Sequence, residues 1–260
     1  MTEASNTSAR PSKIVLITQS NYLPWKGYFD LIRAVDEMII LDSVQYTRRD
    51  WRNRNIIKTP NGPLWLTVPV EVKGRYQQTI DETMIADDSW AEKHLRSIEL
   101  AYKRAAGFQA VTPWLTETLS SASSISGLSR MNEHLIRAIC GRLDIATPIR
   151  HCTDILDRAA LLAMDPTERL LELSKAAGAT VYVSGPAAKD YLDVGRFNSH
   201  GIEVCWADYS DYPEYPQLWG AFDHRVSIVD LLLNTGAEAA AFATNGKVVS
   251  PPQREAAGYR

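Results

Sequence analysis

Apolar residues bunch along this chain in two ways, and each predicts an element. Unbroken apolar runs at 13–18 (KIVLIT), 38–41 (MIIL), 180–183 (TVYV) and 202–206 suit strands covered on both faces, the kind from which parallel sheets are built. Three- and four-residue spacing predicts helices instead. Tyr28, Leu31, Ile32 and Val35 mark one over 27–37, and others are expected over 90–102, 113–121 and 129–142, the first behind Ser89 as N-cap and the last closing at or just beyond Gly141. Asp165-Pro166-Thr167-Glu168 combines a capping carboxylate, a pre-set φ and a Glu at the third helical position, so a helix opens there and runs to Ala177, where Gly178 stops it. A mostly buried helix follows over 225–234, capped near Gly236. The segment 63–72 alternates but carries Pro63 and Pro69, so a strand is expected that lies at a sheet edge or ends there.

Strand, loop, helix and strand recur at both ends with helices between. That pattern predicts an α/β fold: a mostly parallel sheet with flanking helices and a helical insertion at about 89–145. One domain is expected over 13–236, after a disordered tail at 1–12 and before a C-terminal extension at 237–260; the last dozen residues read as frayed. Ligands of open α/β sheets sit beyond the carboxyl ends of strands. The loops at 19–27 and 184–193 both fall there and are expected to meet.

Composition narrows the function class. An apolar content of 45% fits a chain that buries a sizeable core, and no apolar window approaches the roughly 18 residues that span a bilayer. The three cysteines lack CxxC spacing, which fits a reducing compartment, so a cytoplasmic protein is expected. A net charge of −3, from 28 basic and 31 acidic side chains, gives no global field for a nucleic acid, and none is expected as partner. The five histidines have no metal-ligand spacing, and neither GxxxxGK[ST] nor GxGxxG occurs, so neither a metal nor another cofactor is expected.

Four clusters could carry chemistry. In QSNYLPWKGYFD at 19–30, Tyr22, Trp25 and Tyr28 offer flat apolar area while Gln19 and Asn21 offer paired donors and acceptors, a mixture suited to a sugar or a base; the aromatics alone suit a core equally well. In DSVQYTRRDWRNRNIIK at 42–58, Arg48, Arg49, Arg52, Arg54 and Lys58 interleave with Trp51, Asn53 and Asn55. Guanidinium forks there suit a pyrophosphate, although a solvated basic loop has the same composition. Asp42, just past the second strand, is placed to act as general base or simply to start a turn. After the strand at 180–183, Ser184 and Gly185 let a ligand approach the backbone, and Lys189 supplies a point charge.

These stretches together resemble the WbqC-like family of bacterial proteins, from about residue 13 to 236. The opening loop is similar to that family's Q-P-x-Y-x-P-W-x-G-Y-F motif, with Ser20 where the family has proline. Residues 41–54 resemble L-D-x-V-Q-Y-x-x-R-x-W-x-N-R, 65–70 resemble W-L-T-V-P-V, 165–172 resemble D-P-T-E-R-L-x-E, 184–193 resemble S-G-x-x-x-x-x-Y-L-D, and 215–220 resemble Y-P-Q-L-W-G. By that resemblance Gln45, Tyr46, Arg49, Trp51, Asn53, Arg54 and Tyr191 join the expected substrate-binding set, with Asp42 and Gln19 as catalytic candidates. The family's association with O-antigen and related polysaccharide biosynthesis implies a small-molecule substrate, a nucleotide-linked amino sugar. The implied reaction is transfer of an acyl or aminoacyl group from an activated donor or carrier. Nucleotidyl transfer, and a non-catalytic adaptor that binds a carrier or assembly partner, are the alternatives.

Overall fold

The computed structural model describes residues 12–249, so the tail expected at 1–12 and the last dozen residues lie outside it except for Ser12 and Val249. Strand β1 (Ile14–Thr18) leads through the loop 19–25 into helix α1 (Lys26–Arg33) and strand β2 (Glu37–Ile40). A hairpin of β3 (Arg54–Thr59) and β4 (Gly62–Thr67) follows, then helices α2 (Trp90–Tyr102), α3 (Phe108–Ser123) and α4 (Leu128–Arg142). The chain returns as β5 (Ile149–His151), α5 (Arg158–Ala163), α6 (Pro166–Ala176), β6 (Val181–Ser184), α7 (Val194–Ser199) and β7 (Glu203–Trp206), and ends in α8 (Ile228–Thr235) and α9 (Ala239–Phe242).

Five of these strands form one parallel sheet in the order β5-β2-β1-β6-β7. Because successive side chains of a strand face opposite sides, the sheet divides the core in two. Leu16, Met38, Ile40, Val181 and Val183 join one apolar cluster with α1, the α2–α4 insertion and α8. Val15, Ile17, Ile39, Tyr182 and Val204 join a second with Leu161 of α5, Leu170, Leu171 and Leu173 of α6 and Phe197 of α7. The result is an α/β fold with helices on both faces. From β1 the chain builds outward through β2 to β5, then crosses back to place β6 on the other side of β1. The order of the sheet reverses between β1 and β6, so the loops leaving those two strands start side by side there.

Several boundaries differ from the sequence reading. The first helix ends at Arg33, and Glu37 is instead the first residue of β2, its buried carboxylate paired with Lys13 at 2.7 Å and with Arg150. Ser89 does not cap α2, because its hydroxyl donates to Asp87 at 2.7 Å. Helix α3 starts at Phe108 and keeps Pro113 inside it rather than at its start. The alternating strand is shorter, Gly62–Thr67, and pairs with β3, which lies inside the stretch read as a basic loop. The edge strand β5 carried no sequence signal. Asp165 does cap its helix, accepting from the Glu168 amide at 2.8 Å, and Gly178 follows with φ of 71°. Among the described residues no helix is long and apolar enough to cross a membrane.

Candidate functional site

The loops after β1 and β6 do meet. They form a cleft of about 460 Å³ at the point where the strand order reverses, where open α/β sheets bind ligands. Of the expected residues, Gln19, Asn21, Trp25, Tyr28, Ser184, Gly185 and Tyr191 line it. Tyr28 donates its hydroxyl to the Gln19 carbonyl at 3.0 Å, and Trp25 packs edge-on against Tyr209 at 5.2 Å. A second hollow of about 240 Å³ adjoins at Asn21 and Trp25 and is closed by Pro24, Trp51, Asn55 and Arg225.

Arg52 stands behind this wall. Its guanidinium donates to Gln19 Oε1 at 3.0 Å, to Asn21 Oδ1 and, at 3.4 Å, to the Ser20 carbonyl, so the fork is engaged with the protein's own loop. Asp42 anchors the same loop from the opposite side. Its Oδ1 accepts from the Ser20 amide at 2.9 Å and its Oδ2 from the hydroxyls of Ser20 at 2.6 Å and Ser129 at 2.5 Å. Burial pushes the Asp42 pKa up, while those bonds and the nearby Arg52 charge pull against that rise. The carboxylate faces a separate polar hollow lined by Ser43, Asp81, Ser129, His151 and Arg158 and does not line the cleft. Where the family pattern has a rigid proline, Ser20 supplies two donors to this carboxylate, so hydrogen bonds hold the backbone in place of a ring.

The remaining expected residues are placed elsewhere. Tyr22 is fully buried, its hydroxyl 2.7 Å from His94 Nδ1 and its ring against Trp90. Asn53 is buried with its amide on the Val68 carbonyl at 2.8 Å, and Tyr46 is buried in the main core cluster. Gln45 donates to the Tyr76 carbonyl at 2.9 Å. Arg54 bonds the carbonyl of Arg49 and stacks on Trp65, 4.0 Å from its centroid, while Arg49 itself is exposed with φ of 59°. Lys189 lies over the Trp206 ring at 5.5 Å and does not line the cleft.

Sequence reading missed Arg169 and Tyr209, which complete the cleft from α6 and from the loop after β7. Arg169 sits in the very run read as a helix start; it bonds the carbonyls of Leu161 at 2.6 Å and Met164 at 2.8 Å, which fixes its guanidinium at the rim. Burial pushes the Tyr209 pKa up to about 12, so it acts as a neutral hydroxyl. Among the described residues no Asp, Glu or His lines the cleft, and the one charged lining side chain is Arg169. Chemically this is a neutral-to-positive, ring-walled pocket that can hold an anionic molecule.

The architecture defines a doubly wound α/β protein with a cleft at its switch point. The chain belongs to the WbqC-like protein family, whose model matches residues 19–242. It is 50% identical over 227 residues to a protein of Mycobacterium tuberculosis (strain ATCC 25618 / H37Rv) described as uncharacterized protein Rv1507c, covering 87% of this chain and 96% of that protein. No solved structure matches the chain.

Proposed function

We propose that this protein is a cytoplasmic transferase that attaches an acyl or aminoacyl group to a nucleotide-linked amino sugar, in the making of a bacterial surface polysaccharide such as O-antigen. The observation that carries the reading is the cleft: aromatic rings and side-chain amides at a sheet's switch point, with an arginine in the lining and, among the described residues, no carboxylate to repel a phosphate. Tyr28 and Trp25 supply flat surface for a sugar or base, and the adjoining hollow between Trp25 and Trp51 extends it. In the reaction the amine nitrogen bonds the acyl carbon, the bond from that carbon to its carrier breaks, and the amine's proton leaves with the carrier or to water. Rate comes from holding amine and acyl carbon in contact. Asp42, expected as the base, holds the loop that carries Gln19 and Asn21.

The test is thermal unfolding of the full chain with a panel of nucleotide sugars. A true ligand at 100 times its Kd adds about 2.7 kcal/mol of stability. Absence of any shift across the panel would refute the substrate class.

A further inference from the structure

We infer that the wall formed by Gln19 and Asn21 is a subsite for an oxygen group that only accepts hydrogen bonds, a phosphate or a carboxylate, and that Arg52 is the positioning residue that sets this polarity. The inference rests on the reading of the cleft as a small-molecule site and adds which end of the ligand docks where.

A side-chain amide is ambiguous by itself, since it can present either its carbonyl or its NH2. A guanidinium removes the ambiguity, because it donates and never accepts. Arg52 Nη2 meets Gln19 and Nη1 meets Asn21, so both carbonyl oxygens must turn toward the fork. The opposite end of each side chain is then NH2. Neither Gln19 Nε2 nor Asn21 Nδ2 has a hydrogen-bond partner among the described residues, and both residues line the cleft. The fork is held in place: its side chain is only 16% exposed, its Nε lies 3.9 Å from Asp50 Oδ2 and its Nη1 also donates to the Ser20 carbonyl at 3.4 Å, while Asp42 holds Ser20 between the two amides.

An independent observation agrees. Among the described residues the cleft lining offers hydroxyls and Arg169 but no carboxylate, so an ammonium there would meet donors and a positive charge, whereas an oxyanion would satisfy both. A nucleotide-linked substrate therefore docks its phosphate or carboxylate oxygens on this wall and directs any amine elsewhere.

The experiment follows the Gln19 and Asn21 side-chain NH2 signals of the 15N-labelled full chain by NMR. Pyrophosphate, acetate and methylammonium are titrated separately at constant ionic strength. The expected result is a saturable shift of both NH2 pairs with pyrophosphate or acetate and none with methylammonium; whichever anion saturates first tells phosphate from carboxylate. Arg52→Met frees the amides to flip, so selectivity for anion over ammonium falls by about tenfold or more, in line with the loss of a charge-type hydrogen bond. A merely structural role would weaken all probes alike. Asn21→Asp keeps an oxygen on Arg52 but exchanges the donor for a second oxygen; this variant is expected to melt like the parent and lose the anion response, and it carries the test if Arg52→Met does not fold. The inference is overturned if the anions leave both signals unmoved or shift them without saturation, if methylammonium saturates them, or if Asn21→Asp keeps full anion binding. Anion titration without any response to nucleotide sugars would sink the proposed substrate and leave the subsite standing.

Discussion

Asp42 shows how burial and bonding decide a residue's role. A general base needs a free lone pair beside its substrate, but both Asp42 oxygens accept from Ser20 and one also from Ser129, at the back of the loop. In Asp42→Asn one carbonyl oxygen must serve these donors while the new NH2 confronts them. The expected loss is about 1–3 kcal/mol of stability, toward the lower end because a buried charge disappears too. Ligand affinity measured by calorimetry should fall about tenfold as the loop slips. A base would behave otherwise, with affinity intact and turnover alone lost. His94 makes a second residue-scale prediction. Its Nδ1 lies 2.7 Å from the Tyr22 hydroxyl, and burial pushes its pKa down to about 4. The unfolded imidazole titrates near 6.5, so between those values the unfolded state binds more protons and stability falls as the solution is acidified. The shift corresponds to about 3 kcal/mol, fully present above pH 6.5 and lost on the way to 4. Denaturant midpoints across that window should show the slope in the parent protein, and His94→Gln, which cannot titrate, should flatten it.

At the scale of elements, what was legible in the sequence follows from how much local chemistry each element carries. The four apolar runs became β1, β2, β6 and β7 because residues buried on both faces of the sheet form continuous apolar stretches, with Glu37 and Glu203 only at the starts of β2 and β7. The Asp165 cap was legible because cap, proline and stop glycine are all local. Strand β3 was not, since Arg54, Asn55, Lys58 and Thr59 are polar yet tertiary contacts employ them. Asn55 staples the carbonyls of Tyr22 at 3.1 Å and Leu23 at 2.7 Å, Lys58 bonds Gln217 at 2.7 Å and the Ala221 carbonyl at 2.6 Å, and Arg54 stacks on Trp65 of the partner strand. Strand β5 has three residues, too few for any period to show. The same reasoning divides the site. The loop composition after β1 pointed to the cleft, but nothing in a string of arginines tells a fork turned inward, like Arg52, from one turned to a ligand. Arg169 escaped because a helix-start motif fully accounted for its neighbourhood.

At the scale of the whole molecule, the cleft exists because the chain crosses back to set β6 beside β1, bringing loops from distant parts of the sequence to one rim. A change on the β6 side should therefore abolish recognition of a ligand held by the β1 side, without touching that loop. Gly185 is the position for it. Its φ of −67° and ψ of 153° are ordinary for any residue and already suit one that precedes a proline, Pro186. A Cβ added there would meet only the Tyr209 hydroxyl, at the ordinary contact distance of 3.6 Å. Gly185→Leu should thus fold with stability within about 0.5 kcal/mol of the parent. Its side chain would project into the space between Ser184, Tyr209 and the Gln19 wall, and binding of any nucleotide sugar that stabilises the parent should drop more than about tenfold for the displaced contacts. A variant that melts normally and still binds with parental affinity would move the ligand out of the switch-point cleft. The hollow between Trp25 and Trp51, which Gly185 does not reach, would then become the place to look.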